Sequence, residues 1–470
     1  MQRNTRFLVA VSLGMAFLSS IPGVMAQEAK KDAGGKAEVA SVAAPATGTA
    51  PAAVPAGSAS VEEVNELKEQ MKQLRALVQE QQAQIEKLKG PAPSPEAASP
   101  APASTPAPVL APQAAQETVE ERPIRPFKIG GFANWAYGKT SNINTYDLSN
   151  QHGLYDNIDM GLILTLGITP SVNATAQVSF QAANDHTETD VDFAFLDWKV
   201  NDKFNVRAGQ VKNPYGLYSE YMGIGTVYPF NDIPQSIYGG TSIGKEFYRG
   251  VGISGTALTT KKWETTYDLF FGSLLNDEIN PAEQIRDAFL NEQSTVTIES
   301  SSESIRQTVG GRLTLARPHS GLRFGVNGNS GISPDKGRQS VLGAFASYDT
   351  GKWLLRSEFG HAFEAGFIHF TGAYVEAGYK INPHWQPVFR YDWARQGLVS
   401  PIAIPDDFKS HREVGGGLNY WVNPKAVLKF SYHHVEGNLL AVPLGDLALD
   451  NLSVVPKSTD LATFGLAFVF

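Results

Sequence analysis

From Phe127 to Phe470, apolar and polar residues alternate with a period of two. At that spacing successive side chains point to opposite faces of a strand. In one segment Val172, Ala174, Ala176, Val178 and Phe180 alternate with Asn173, Thr175, Gln177, Ser179 and Gln181, so the second face is wholly polar. Segments of this kind begin at Phe127, Ile158 and Val172. They recur near 190–201, 204–211, 249–259, 263–274, 307–317, 320–329, 339–349, 352–362, 368–381, 384–395, 411–422, 425–436 and 460–470, which makes sixteen expected strands. The alternation changes phase near Phe195 and Leu196, which predicts a bulge there. The segment at 339–349 is ambiguous in phase.

The connections alternate in length. Short turns fall at Thr169-Pro170-Ser171, Asn201-Asp202-Lys203, Thr260-Lys261-Lys262, Arg317-Pro318-His319, Asp349-Thr350-Gly351, Asn382-Pro383-His384 and Asn423-Pro424-Lys425. The intervening loops at 139–156, 212–248, 275–306, 396–410 and 437–459 are long, and those at 184–189, 330–338 and 363–367 are shorter. An even strand count, short turns at one end, long loops at the other and unlike faces form the pattern of a bacterial outer-membrane barrel. Tryptophans 135, 198, 263, 353, 385, 393 and 421 lie where strands meet turns and loops, as interfacial girdles require. A soluble β-sandwich or two is the bland alternative, but a soluble barrel of this size would have a dry core, whereas here the polar face would be the interior. The expected fold is all-β: a 16-stranded antiparallel transmembrane β-barrel over 127–470.

The region before the barrel reads differently. Arg3 and Arg6, the apolar run Phe7 to Ile21 and the small residues around Ala26 form a signal peptide, 1–26. Residues 27–59 are Ala-, Gly- and Pro-rich and are expected to be disordered. Within 60–90, Val64, Leu67, Met71, Leu74, Val78, Ile85 and Leu88 follow a heptad that only Gln81 breaks. This predicts an α-helical coiled coil that begins at a Ser60–Glu63 capping box and stops at Gly90-Pro91. A single docked amphipathic helix is the simpler alternative, and two strands against three is not decided. Residues 91–126 form a Pro/Ala-rich spacer.

Composition removes several function classes. The chain has 470 residues and no cysteine, which excludes disulfides, thiol catalysis and zinc–thiolate sites. A formal net charge of -8 argues against a nucleic-acid partner. Ser431, His433 and His434 are neighbours, but no Gly-x-Ser-x-Gly elbow or His-Glu-x-x-His occurs. No enzyme activity and no cofactor or metal are expected.

Strand parity points Arg207, Arg312, Arg323, Arg356, Arg390 and Lys429 into the barrel, with Asp159, Glu264, Asp268, Glu358, Glu376, Asp392 and Glu413 as acidic counterparts. The pore-lining set is therefore Arg207, Arg312, Arg323, Arg356, Arg390, Lys429, Glu358 and Asp392. These charges either hydrate and brace the wall or set a transverse field on solutes. The loop at 275–306 carries seven acids, Asp277, Glu278, Glu283, Asp287, Glu292, Glu299 and Glu303. It suits solubility at the cell surface or cation-bridged contact with lipopolysaccharide.

The longest irregular stretch, 212–248, follows the fifth strand. The sequence Val206-Arg207-Ala208-Gly209-Gln210-Val211-Lys212-Asn213-Pro214-Tyr215-Gly216-Leu217-Tyr218, with Arg249-Gly250-Val251-Gly252, resembles porins of the phosphate-selective porin superfamily. The resemblance implies a sixteen-stranded homotrimer whose loop after the fifth strand folds inward as a constriction. Some members carry an N-terminal coiled coil, which would lie in the periplasm. The implied constriction residues are Lys212, Tyr215, Tyr218, Glu220, Asp232, Lys245, Glu246 and Arg249. Acids among them argue against carrying over phosphate selectivity, which rests on a dense arginine and lysine ladder. The expected function is an outer-membrane porin for small hydrophilic solutes, with anion preference open. The alternative is a structural tether in which the coiled coil reaches peptidoglycan and the barrel is only an anchor.

Overall fold

The computed structural model describes residues 127–470, apart from 147, 148, 184, 185, 242, 335, 366, 367 and 444. The expected signal peptide, coiled coil and linkers lie outside the described residues. The strands are β1 (Lys128–Thr140), β2 (Leu154–Thr169), β3 (Val172–Ala183), β4 (His186–Asn201), β5 (Phe204–Lys212) and β6 (Phe247–Thr259). They continue as β7 (Glu264–Ile279), β8 (Thr295–Ile298), β9 (Ser300–Arg317), β10 (Leu322–Ser333), β11 (Gly337–Asp349) and β12 (Trp353–Glu364). The last are β13 (Ile368–Tyr379), β14 (Trp385–Leu398), β15 (Ser410–Asn423), β16 (Ala426–Glu436), β17 (Gly445–Ala448) and β18 (Ser458–Val469). Two helices interrupt them, α1 (Gln235–Tyr238) and α2 (Pro281–Leu290).

All strands except β8 and β17 form one closed antiparallel barrel of sixteen, each neighbouring the next in sequence. β1 closes on β18 with Trp135 opposite Leu466, and Phe470 N–H donates to Gly131 O at 3.0 Å. Closure satisfies every edge, the condition for sheet structure inside a bilayer.

The two faces divide as the alternation requires. Ile129, Leu196, Val251, Phe271, Val309, Val326, Leu342, Val375, Phe389 and Phe430 are exposed on the outside. A ring of exposed apolar side chains of this extent is unstable in water and suits lipid. Trp198, Trp353 and Trp385 stand exposed beside short turns, at the height of an interfacial girdle. No helix among the described residues is long and apolar enough to cross a membrane, and barrels cross with strands instead.

Three local expectations change. The bulge in β4 falls at Asp192, since Gln177 pairs with Phe193 and Val178 with Val191, so the phase change precedes Phe195 and Leu196. The 275–306 segment is not a bare loop. Leu275–Ile279 pairs with Ser300–Ser304, extending β7 and β9 through a serine run that carries no hydrophobic period. Between them α2 starts at Asn280, whose side chain accepts from Glu283 N–H at 3.2 Å, and Pro281 occupies a first-turn position. The strand β11 resolves the ambiguous phase: Gln339, Val341, Phe345 and Ser347 are buried inward and Leu342 faces out.

At the long-loop end α2, β8 and β17 share a small apolar core. Val296 pairs with Leu447, and Ile285, Ile298, Ile404, Phe408, Leu449 and Leu452 pack around them.

Candidate functional site: the inward segment and the wall facing it

Between β5 and β6 the chain leaves the barrel wall and crosses the interior. Its backbone hydrogen-bonding groups cannot stay unpaired there, so the wall supplies partners. Lys429 donates from Nζ to the carbonyls of Gly225, Tyr228 (2.7 Å) and Phe230. Asn419 Nδ2 donates to Pro229 O at 2.9 Å, and Asn231 Nδ2 donates to Thr463 Oγ1 at 2.9 Å. Asn134 reaches the segment from β1, accepting from Gly225 N–H at 3.1 Å and donating to Gly223 O. Ser236 N–H, in α1, donates to Asp392 Oδ2 at 3.0 Å.

Tyrosines carry the packing. Tyr215, Tyr218, Tyr228 and Tyr238 are buried with Ile237, Ile243 and Tyr374 in one cluster. Glu358 Oε1 accepts from Leu217 N–H (3.1 Å), Tyr238 Oη (2.8 Å) and Tyr374 Oη. Tyr218 Oη donates to Glu376 and accepts from Arg356 Nη1 at 2.8 Å. These rings hold the segment on the wall.

The wall is hollowed to receive them. Gly343, Gly360 and Gly372 stand directly opposite one another on β11, β12 and β13. A Cβ on Gly343 would lie 2.5 Å from Tyr215 Oη, one on Gly360 would lie 2.5 Å from Ile243 Cγ2, and one on Gly372 would collide with Ser236 O. The glycines are there for close approach, not for strand propensity.

The expected pore charges separate into two groups. Arg390, Lys429, Glu358 and Asp392 face inward as parity requires, but at 0–3% exposure they are sealed beneath the segment and line no open space. The reason is partner chemistry: Arg390 donates to Glu376 Oε1 (2.9 Å) and to Asp232 Oδ1 (3.0 Å) and O (2.8 Å), which places Asp232 in the same buried network. In the second group Arg207 and Arg323 keep contact with solvent, while Arg312 and Arg356 are mostly covered, with side chains 9% and 12% exposed. Arg207 bonds Asp197 Oδ1 at 2.9 Å, with side chains 33% and 23% exposed. Arg312 bridges Glu220 (2.6 Å) and Asp268 (3.2 Å), and Glu220 is 27% exposed. Arg356 lies 3.7 Å from Asp349. Arg323 is exposed and, among the described residues, makes no ion pair.

Glu220 lies in a turn of the inward segment. Burial pushes its carboxyl up, but Arg312 beside it, with Arg207 and Arg323 farther off, outweighs burial and holds it below the ordinary value.

Two constriction expectations are corrected. Arg249 points outward. It shares a face with exposed Val251, while Tyr248, the residue before it, is buried inside, and its Nε donates to Gln210 Oε1 at 2.7 Å. The period-two rule through Tyr248 carried the needed signal. Lys245 is buried with Glu278, Glu364, Glu303 and Lys336 around it, away from the solvent-facing charges. Burial pulls its ammonium down to about 8, against the pull of those carboxylates. Lys212 and Glu246 pair across the base of the segment. Glu278, expected at the surface, is buried and bonds Lys336, which also reaches Glu283 at 2.9 Å.

Ser431 and His433 share the inward face, and Glu413 joins them. Ser431 Oγ lies 2.7 Å from His433 Nε2, and His433 Nδ1 lies 2.6 Å from Glu413 Oε1. Sequence reasoning noted the first two and missed the third, which lies on a neighbouring strand. All three are buried, with Phe230 against the imidazole. Ser431 also shares a hydrogen bond with Thr463 at 2.7 Å. The geometry has no route for a substrate to the hydroxyl.

No family model and no curated protein matches the chain. Among solved structures it is similar to an anion-selective porin from Comamonas acidovorans, at 12% identity and a TM-score of 0.46 over 73% of this chain and 99% of that one. It is also similar to the outer-membrane channel DcaP of Acinetobacter baumannii, at 8% identity and a TM-score of 0.46 over 73% and 97%. OmpF of Salmonella typhi, in complex with daunomycin, matches at 12% identity and a TM-score of 0.45 over 73% and 97%.

Proposed function

We propose that this chain is a bacterial outer-membrane porin, a passive diffusion channel for small hydrophilic solutes narrowed by residues 213–246. One observation carries the reading. The inward segment is bonded to β1, β9, β12 to β16 and β18, yet Arg207, Asp197, Glu220 and Arg323, all inside the barrel, retain solvent exposure. A segment that plugged the barrel would bury them. The solvent-contacting charges mix signs: Arg207, Arg312 and Arg323 lie with Glu220, Asp268 and Asp197. This mixture supports charge-tuned passage rather than a phosphate filter.

The constriction on this reading comprises Glu220, Arg312, Arg323 and Arg207, with Lys212 and Glu246 at its base. Tyr215, Tyr218 and Asp232 support it from behind. A homotrimer, the domain plan with a periplasmic coiled coil over 60–90, and contact of the acidic 275–306 segment with lipopolysaccharide belong to the same proposal. The heptad spacing also favours a cell-wall tether as a second role, compatible with transport. Liposome swelling tests the channel: proteoliposomes should swell in small sugars at a rate that falls steeply with solute size. Equal rates with and without protein would reject it.

A further inference from the structure

Asp392 on β14 and Glu413 on β15 are directly opposite on the inward face, and both are fully buried. Like charges so placed repel, and more strongly inside protein than in water. The surrounding cations are committed elsewhere. Arg390 binds Asp232 and Glu376 and reaches Glu413 Oε1 only at 3.6 Å. Lys429 donates to backbone carbonyls, and His433 holds only the Oε1 side of Glu413. The buried network thus holds four carboxylates, Asp232, Glu376, Asp392 and Glu413, beside Arg390, Lys429 and His433, and among the described residues no Arg or Lys pairs directly with Asp392.

His411 completes the site. Its Nε2 lies 3.9 Å from Asp392 Oδ2 and 4.0 Å from Glu413 Oε2, and the three donors fall within 4.8 Å of one another. Tyr146 Oη, 3.4 Å from the same nitrogen, bonds Glu413 Oε2 and offers a fourth oxygen. Among the described residues Asp392 Oδ1 is buried without a hydrogen-bond partner. An orphaned carboxylate oxygen beside a facing carboxylate is costly unless something else binds there.

We propose that Asp392, His411 and Glu413 form a divalent metal site, with Zn2+ the ion best matched to one imidazole and two carboxylates. Tetrahedral coordination with bonds of about 2.0–2.1 Å sets ligand atoms about 3.3 Å apart, so the imidazole and carboxylates close in by about 0.6–0.7 Å from their present 3.9 and 4.0 Å on binding. The ion ties β14 and β15 to Tyr146 in the first long loop and, through Asp392 and Ser236, to the inward segment. The site is independent of solute passage.

The test is zinc content after equilibrium dialysis of the detergent-purified full-length protein against micromolar free Zn2+, following removal of metal by chelator. Wild type should retain one Zn2+ per chain. Asp392→Asn and His411→Ala should weaken binding by more than about 100-fold, since even outer-shell changes cost 10–100-fold. His434→Ala, at an exposed histidine beside Asp460, should change nothing. No bound zinc in wild type, or equal zinc in all variants, overturns the proposal. If the site variants do not fold, X-ray absorption of the wild-type zinc decides: one imidazole among oxygen donors supports the site, and several imidazoles overturn it.

Discussion

Arg390 and Asp232 join the barrel wall to the segment that crosses it. The guanidinium donates to both the carboxylate (3.0 Å) and the carbonyl (2.8 Å) of Asp232 while bonding Glu376 on the next strand, and no part of it is exposed. Buried ion pairs gain little over apolar packing, but breaking one strands a charge. Arg390→Met should therefore destabilise the protein by about 3–5 kcal/mol. It should also free residues 225–240 to limited proteolysis. A protease pattern and thermal midpoint matching wild type would show that the segment is held by its tyrosines alone.

The glycine row makes a steric prediction. Gly360→Leu places a side chain where Tyr215 and Ile243 now pack. Overpacking typically costs about 1–3 kcal/mol, and the inward segment is the softer party. Single-channel conductance should change while the β-sheet circular dichroism spectrum stays native. Unchanged conductance would mean the wall absorbs the leucine.

Arg323 is an exposed charge of the basic row and makes no ion pair among the described residues. A unit charge 5–10 Å from the ion path in water-like dielectric is worth about 0.4–0.8 kcal/mol. Arg323→Ala should lower the anion-to-cation permeability ratio about two- to fourfold, read from reversal potentials in a salt gradient. Lys429→Met, beneath the segment, should leave the ratio within error if the segment stays in place. The opposite ranking would put the selective charges on the wrong side of the segment.

Glu220 gives a pH dependence. Its carboxyl titrates below the unfolded value, so its contribution to stability is present above that value and is lost as pH falls through the lower folded one. Selectivity should accordingly be flat from neutral pH down to about 5. Below that, protonation of Glu220 leaves Arg312 paired with Asp268 alone, and the channel should turn more anion-selective. Glu220→Gln should show the acid-form selectivity at every pH. A wild-type transition near neutral pH would exclude Glu220 as its source.

How much of this was legible in the sequence depended on which physical rule each feature obeys. The barrel was readable because lipid outside and polar space inside impose a period of two, and because turns and loops alternate in length. Strand ends were less readable: the pairing of Leu275–Ile279 with Ser300–Ser304 rests on backbone bonds that leave no hydrophobic pattern. Parity placed Arg390, Lys429, Glu358 and Asp392 inside, but it is blind to what covers them. The contacts of Asp232, Ser236, the loop carbonyls, Leu217 and Tyr238 seal them. Arg249 was drawn into the site by its motif, although its own parity with Val251 points it outward. The inward glycines 343, 360 and 372 carried a signal that went unused, since glycine repeated on the interior face of adjacent strands marks where another part of the chain comes close.

The central claim is that the interior remains open past the segment that crosses it. Planar-bilayer recording of the purified full-length protein tests it most directly. The account predicts stepwise conductance in multiples of three, linear with salt concentration and present without any added solute. Silence at high salt, with protein verified in the bilayer, would mean that residues 213–246 close the barrel and that it serves as an anchor.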